Sequence, residues 1–171
     1  MKQLTFLTLV IFSLCAQAES LNIKPGLWEI QNKMNVNGQE MPDMQKMLAK
    51  VPPEMRAQMK AMMEKNGAGM TDKGVTICVT AEQIARGDMG QHDPDSNCKM
   101  TDMKQSGNKT SMKMHCDAPH KADGTTEVTR LSDSQWKSIT QMNTEKGAIN
   151  SEATGKWLKS DCGNVKPAGK K

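Results

Sequence analysis

The sequence predicts a mainly β protein: a curved antiparallel sheet or incomplete barrel of six to seven strands, with an inserted methionine-rich helical pair and two disulfides. Three observations lead there. Apolar and polar residues alternate with period two over most of the chain after Gly26, the pattern of half-buried strands. Between about residues 42 and 66 the apolar period changes to that of a helix. Four cysteines, Cys78, Cys98, Cys116 and Cys162, follow an N-terminal leader, an even number that reads as two disulfides in an exported chain.

The leader is legible in its own right. Lys2 gives a short basic start, Leu4 to Leu14 is an apolar run, and Ala16-Gln17-Ala18 fits the small-x-small rule of signal peptidase. Residues 1–18 are therefore expected to be a cleaved signal peptide, leaving a single domain over 19–171. The apolar run is too short to span a bilayer and no later segment approaches that length. The expected location is the periplasm or the extracellular space. Cys15 follows Leu14, where a lipid-attachment motif needs a small residue, so it is expected to leave with the leader.

Removing the leader changes the apolar inventory. Phe6 and Phe12 are the only phenylalanines and both go; there is no tyrosine, and Trp28, Trp136 and Trp157 are the remaining aromatics. Fifteen of the sixteen methionines stay, so methionine is expected to supply part of the core volume. The net charge of +4 drops by one with Lys2, and basic and acidic residues are mixed. No basic patch is interleaved with aromatics, so a nucleic-acid partner is not expected. The Lys166, Lys170 and Lys171 tail reads as a solvated end, and a monomer is expected.

Each element has its own warrant. Pro25-Gly26 turns the chain into "LWEIQNKMNV", where Trp28, Ile30, Met34 and Val36 share one face and Glu29, Gln31, Lys33 and Asn35 the other. Asn37-Gly38 ends this strand in a turn. Asp43 is the expected cap of a short helix carrying Met44, Met47, Leu48 and Val51 on one side. Pro53 opens a second helix, on which Met55, Met59, Met62 and Met63 form one stripe away from Arg56, Lys60 and Glu64, and Gly67 stops it.

"GVTICVT" is a buried strand, and Thr80 caps a helical turn over Ala81 to Arg86. "GDMGQHDPDSN" is loop. A hairpin follows, "CKMTDMKQ" and "TSMKMHC" around "SGNK", with Cys98 and Met100 on one face of the first strand and Met112, Met114 and Cys116 on one face of the second. "TTEVTRL" is a Thr-rich strand. "QWKSITQMN" and "AINSEATGKWL" form a last hairpin across Glu145-Lys146-Gly147. The small residues Ser151, Ala153 and Gly155 between Ile149 and Trp157 predict a close approach or a bend.

Several of these stretches together resemble a known group. "KPGLWEI", "PPEMRAQM", "TICVTAEQI", the strand cysteines Cys98 and Cys116 and the closing "GKWLKSDCG" look like the bacterial secreted domain-of-unknown-function family 3617, over nearly the whole mature chain. The closing motif departs from that pattern at Lys159 and Ser160, where a Gly often precedes the last Cys. The resemblance implies an exported, disulfide-bearing β domain and hands over no catalytic residues.

Four cysteines allow three pairings. Cys78–Cys98 with Cys116–Cys162 is the preferred expectation. The cross-strand alternative Cys98–Cys116 is feasible, because both face the same way near the open end of one hairpin.

The candidate ligand or partner face is the helical stripe, Met44, Met47, Met55, Met59, Met62 and Met63, together with Trp28 and Trp157. As a lid over the apolar face of the sheet it would take an apolar ligand, a peptide or an envelope protein. The same side chains suit plain core filling in a chain without Phe and Tyr, and that is the first expectation.

The alternative function is copper(I) handling, since thioethers suit Cu(I). Met100, Met112 and Met114 are its candidate ligands; Met112 and Met114 face one way and His115 the other, so one strand alone cannot gather them. Met59 and Met63, one turn apart, would make half a site.

Catalysis and cofactors are not expected. His92 and His120 fall in loops, no Ser or Cys sits in a nucleophile motif, and H-E-x-x-H is absent. "DPDSN" has a partial likeness to a calcium loop but lacks the turn Gly, and Lys104 stands where a closing Glu is needed. The expected function is that of a non-catalytic exported binding or envelope-associated domain.

Overall fold

The computed structural model describes residues 22–42, 44–65, 67–71, 73–85 and 97–167. The expected signal peptide with Cys15, the expected cap Asp43, most of the expected 87–97 loop with His92, and Lys170 and Lys171 lie outside the described residues.

The described strands are β1 Gly26–Val36, β2 Gln39–Glu40, β3 Ala68–Met70, β4 Val75–Val79, β5 Cys98–Ser106, β6 Lys109–Cys116, β7 Ala122–Ser132, β8 Gln135–Thr144 and β9 Gly147–Lys159. They form one open sheet in the order β3-β4-β1-β9-β8-β7-β6-β5, with β2 paired to β1 off that path, and every pairing is antiparallel. The seven long strands are those the alternation predicts; the two additional ones, β2 and β3, are two and three residues long, too short to show a period. Three helices complete the described structure: α1 Met44–Ala49, α2 Pro53–Lys65 and α3 Ala81–Ala85.

Local chemistry sets the joints. Asn37 and Gly38 both have positive φ, 52° and 83°, the two-residue turn that matches strand twist. The Asn37 side chain also ties this turn to the β8–β9 turn, donating to Lys146 O at 3.2 Å and accepting from Ala148 N at 2.9 Å. Thr80 caps α3 reciprocally with Gln83: Thr80 N–H donates to Gln83 Oε1 at 2.8 Å and Gln83 N–H to Thr80 Oγ1 at 3.2 Å. Gly67, with φ 79°, ends α2 as expected.

The core is small and sits at one end of one sheet face. Trp28, fully buried, packs with Trp136, Val79, Ile23 and Ile84, flanked by Ile30, Ile77, Ala153 and Trp157. The chain entering β1 brings in Ile23, and α3 brings in Ile84. Trp136 lies flat on Gly155, where an added Cβ would come within 2.1 Å of the ring. That close approach is what the small residues of β9 permit.

The opposite face is covered at the same end, which corrects one expectation. Glu29, expected toward solvent, is buried and accepts a hydrogen bond from Thr71 Oγ1 at 2.8 Å. Its neighbour across the sheet, Thr76, is also buried, and a Cβ on Gly69 would meet the Val165 side chain at 3.0 Å. The C-terminal tail therefore lies over this part of the sheet.

The disulfides are Cys78–Cys162, which fastens that tail to β4, and Cys98–Cys116, directly opposite each other at the end of the β5–β6 hairpin. The preferred expectation, Cys78–Cys98 with Cys116–Cys162, is corrected. Adjacent cross-strand cysteines leave no side chain to span the sheet, and Cys162 reaches Cys78 because the tail crosses behind β4.

Candidate functional site

The cleft with the clearest construction lies along the free edge of β1. β4 pairs β1 only as far as Ile30↔Val75, and β2 pairs it only at Asn35 and Val36, so residues 31–34 lack a strand neighbour on that side. Gly74 shapes one rim: a Cβ there would come within 2.2 Å of Ile30 O, so the chain can turn tightly beside β1. On the other rim the chain leaving β2 runs back along β1, with Met41 N–H donating to Met34 O at 2.8 Å. This return carries Met41, Pro42 and, on α1, Met47 over the open edge.

The result is a cleft of about 380 Å³ lined by Ile30, Met34, Met41, Met47 and Val75, among others, with Lys33, Lys73 and Glu152. The volume is at the small end of ligand clefts. Met34, Met41 and Met47 are all exposed. The Glu152 carboxylate is held by Lys137 at 3.1 Å, whereas neither Lys33 nor Lys73 has an ion-pair partner among the described residues. A shallower groove shares Lys33, Met34 and Glu152 and adds Ile139.

Of the helical candidates whose side chains are described, Met47 alone lines this cleft. α2 is seated against β3 at the sheet edge and does not cover the apolar face. Met55, Met59 and Met62 are 55%, 37% and 61% exposed, and Met63 is half-buried. The first expectation, that this stripe fills the core, is thus corrected: the buried indoles Trp28 and Trp136 and the buried aliphatic side chains Ile23, Val79 and Ile84 fill it instead. The surroundings of the Met44 side chain lie outside the described residues.

Trp28 and Trp157 are not at the cleft. The Trp28 indole donates to Lys24 O at 2.9 Å from inside the core. Trp157 is half-buried, donates to Pro25 O at 3.1 Å, and carries the Lys24 ammonium 5.2 Å from its ring centroid. Sequence reasoning did not single out Met34 and Met41 as site residues. Met34 looked like one more inward residue of its strand, and only the early end of β4 exposes it.

Met100 and Met114 are directly opposite on β5 and β6, and Met112 lies two residues from Met114 on the same face. His115 is on the other face, exposed, with Nδ1 2.6 Å from Asp123 and Nε2 3.5 Å from Asp117. The hydrogen bond and charge of Asp123, with Asp117 behind, hold its pKa above the ordinary imidazole value. Among the described residues no three His, Cys, Asp or Glu side chains converge as metal ligands, and no helix is long and apolar enough to cross a membrane.

The model of the family described as "Protein of unknown function (DUF3617)" matches residues 23–162. The chain belongs to that family. It is also similar to a Pseudomonas putida protein named "Uncharacterized protein in lpd-3 5'region", 37% identical over 115 residues, which covers 65% of this chain and 79% of the relative. No solved structure matches.

Proposed function

We propose that this protein is an exported, non-catalytic binding domain of the periplasm whose β1-edge cleft holds a small apolar molecule with an anionic end. One observation carries the reading: three exposed methionines, Met34, Met41 and Met47, face one cleft beside two lysines, Lys33 and Lys73, that have no ion-pair partner among the described residues. Burying those thioether side chains against an apolar ligand contributes roughly 25 cal/mol per Å² covered. Methionine's unbranched, flexible side chain suits such a surface, since it adapts to the shape it meets. Lys33 and Lys73 are available to pair with a carboxylate or a similar headgroup.

Export is supported by the signal-peptide pattern of residues 1–18 and by two disulfides, which persist in oxidising compartments. The non-catalytic part rests on the motif inventory of the sequence. Native mass spectrometry of the disulfide-intact protein isolated from periplasmic extract tests the reading. A co-purifying apolar mass that is lost in Met47→Glu supports it. A protein without bound mass in every preparation contradicts it.

A further inference from the structure

A second feature lies on the face of the sheet that carries the core, at the end the core does not reach. One register row crosses it: Met100 on β5, Met114 on β6, Gly124 on β7, Met142 on β8 and Ile149 on β9. Residues directly opposite in an antiparallel ladder share a face, so these side chains stand side by side. Met112, two residues before Met114, joins them on the same face.

Gly124 is the centre of the arrangement. A Cβ at this position would come within 2.7 Å of Met142 Cγ, so the Met142 side chain leans over the glycine into the gap. Met114 borders the same gap from the opposite strand. The missing side chain of β7 thus opens a window with a thioether on each side, and Met100 and Met112 stand next to Met114. These side chains reach solvent: Met100 is 45% exposed, and Met112, Met114 and Met142 are half-buried.

The chemistry of the donors is narrow. Thioethers are neutral and soft, and select Cu(I) over hard cations. The neighbouring Cys98 and Cys116 are oxidised to a disulfide, as are Cys78 and Cys162, so no described cysteine offers a competing thiolate. The lysines of the hairpin that would repel a cation, Lys99 and Lys113, alternate to the other face. Next to the row, Thr126 and Thr140 satisfy each other through a 3.0 Å hydroxyl contact and add no charge.

We propose that Met100, Met114 and Met142, with Met112 beside them, form a copper(I) site over Gly124. The site is independent of the β1-edge cleft, and Met142 is its new member. It leaves the methionines of α2, which stand at the opposite edge of the sheet, outside the site.

The test is titration of the disulfide-intact chain with Cu(I) against bicinchoninate as a chromophoric competitor. One tightly held Cu(I) per chain is expected, weakened at least tenfold by Met114→Leu and by Met142→Leu, and unchanged in the double variant Met55→Leu, Met59→Leu. Leucine keeps the apolar volume, and a thermal melt of each variant checks that it folds. The wild-type chain gives a second readout with Ag(I), a redox-inert analogue: the methionine methyl NMR signals of Met100, Met114 and Met142 are expected to shift. Failure to hold Cu(I) against the competitor, wild-type affinity in both hairpin variants, or Ag(I) shifts confined to the α2 methionines each overturn the proposal.

Discussion

The Trp136 indole rests on the bare Cα of Gly155, its cross-strand partner, with no room between them for a methyl group. This one contact explains how a core closes without a phenylalanine or tyrosine among the described residues. A flat indole settles against the backbone of β9 and meets the fully buried Trp28 beside it. Gly155→Ala would push a Cβ into the ring, and overpacking of this kind costs about 1–3 kcal/mol. The expected result is a lower melting temperature with an altered tryptophan emission spectrum; an unchanged melt would contradict the packing.

The helical methionines should contribute little to that core. Met55→Gln and Met62→Gln, at exposed positions, are expected to stay within about 0.5 kcal/mol of the parent chain. Trp28→Ala, at a fully buried position, should cost about 3–5 kcal/mol. Chemical denaturation of the three variants separates the two cases, and a large loss from the glutamines would restore the stripe to the core.

Strand content was legible from alternation because the chain is antiparallel and one face carries the apolar residues. Trp28, Ile30 and Met34 appear on one side, and the glycine turns at Gly38, Gly107 and Gly147 close the hairpins where expected. Period alone marks which residues of a helix are apolar, not what meets them. The stripe of Met55, Met59 and Met62 was therefore clear, while its exposure depended on where α2 comes to rest. Glu29 and the pairing of Cys78 with Cys162 were hidden for another reason. Both depend on the tail crossing behind β4, a contact 84 residues apart in sequence for the disulfide. The cleft depends on where β4 stops, and that is set by the Thr71–Gly74 turn, in which the Thr71 hydroxyl accepts from Gly74 N–H at 3.1 Å.

The two disulfides should differ in weight. Cys78–Cys162 closes a loop of 84 residues and Cys98–Cys116 one of 18. On chain entropy alone the longer loop stabilises by about 1.4 kcal/mol more. Cys78→Ala with Cys162→Ala is therefore expected to lower stability more than Cys98→Ala with Cys116→Ala. Peptide mapping without reduction should recover the 78–162 and 98–116 pairs; a 78–98 peptide would contradict the fold.

His115 should titrate above its ordinary pKa of 6.5, because Asp123 accepts from the protonated ring and Asp117 adds negative charge. A raised folded-state pKa gives stabilisation that is present in full below the unfolded value and is lost as pH rises through the folded value. The Asp123→Asn variant is expected to bring the midpoint down. An NMR titration of the ring protons reads both, and coincident curves for the two proteins would remove Asp123 as the cause.

Ligand binding in the β1-edge cleft is read out by a fluorescence titration with a dansyl-labelled medium-chain fatty acid. Saturable binding by the disulfide-intact protein is expected, weakened about tenfold or more by Met47→Glu, which sets a charge against the apolar chain, and more modestly by Lys73→Ala. Met62→Glu, on the exposed face of α2, should bind as the parent does. Absence of saturable binding, or equal loss from Met62→Glu and Met47→Glu, would contradict the assignment of the cleft between β1 and Met47 as the binding site.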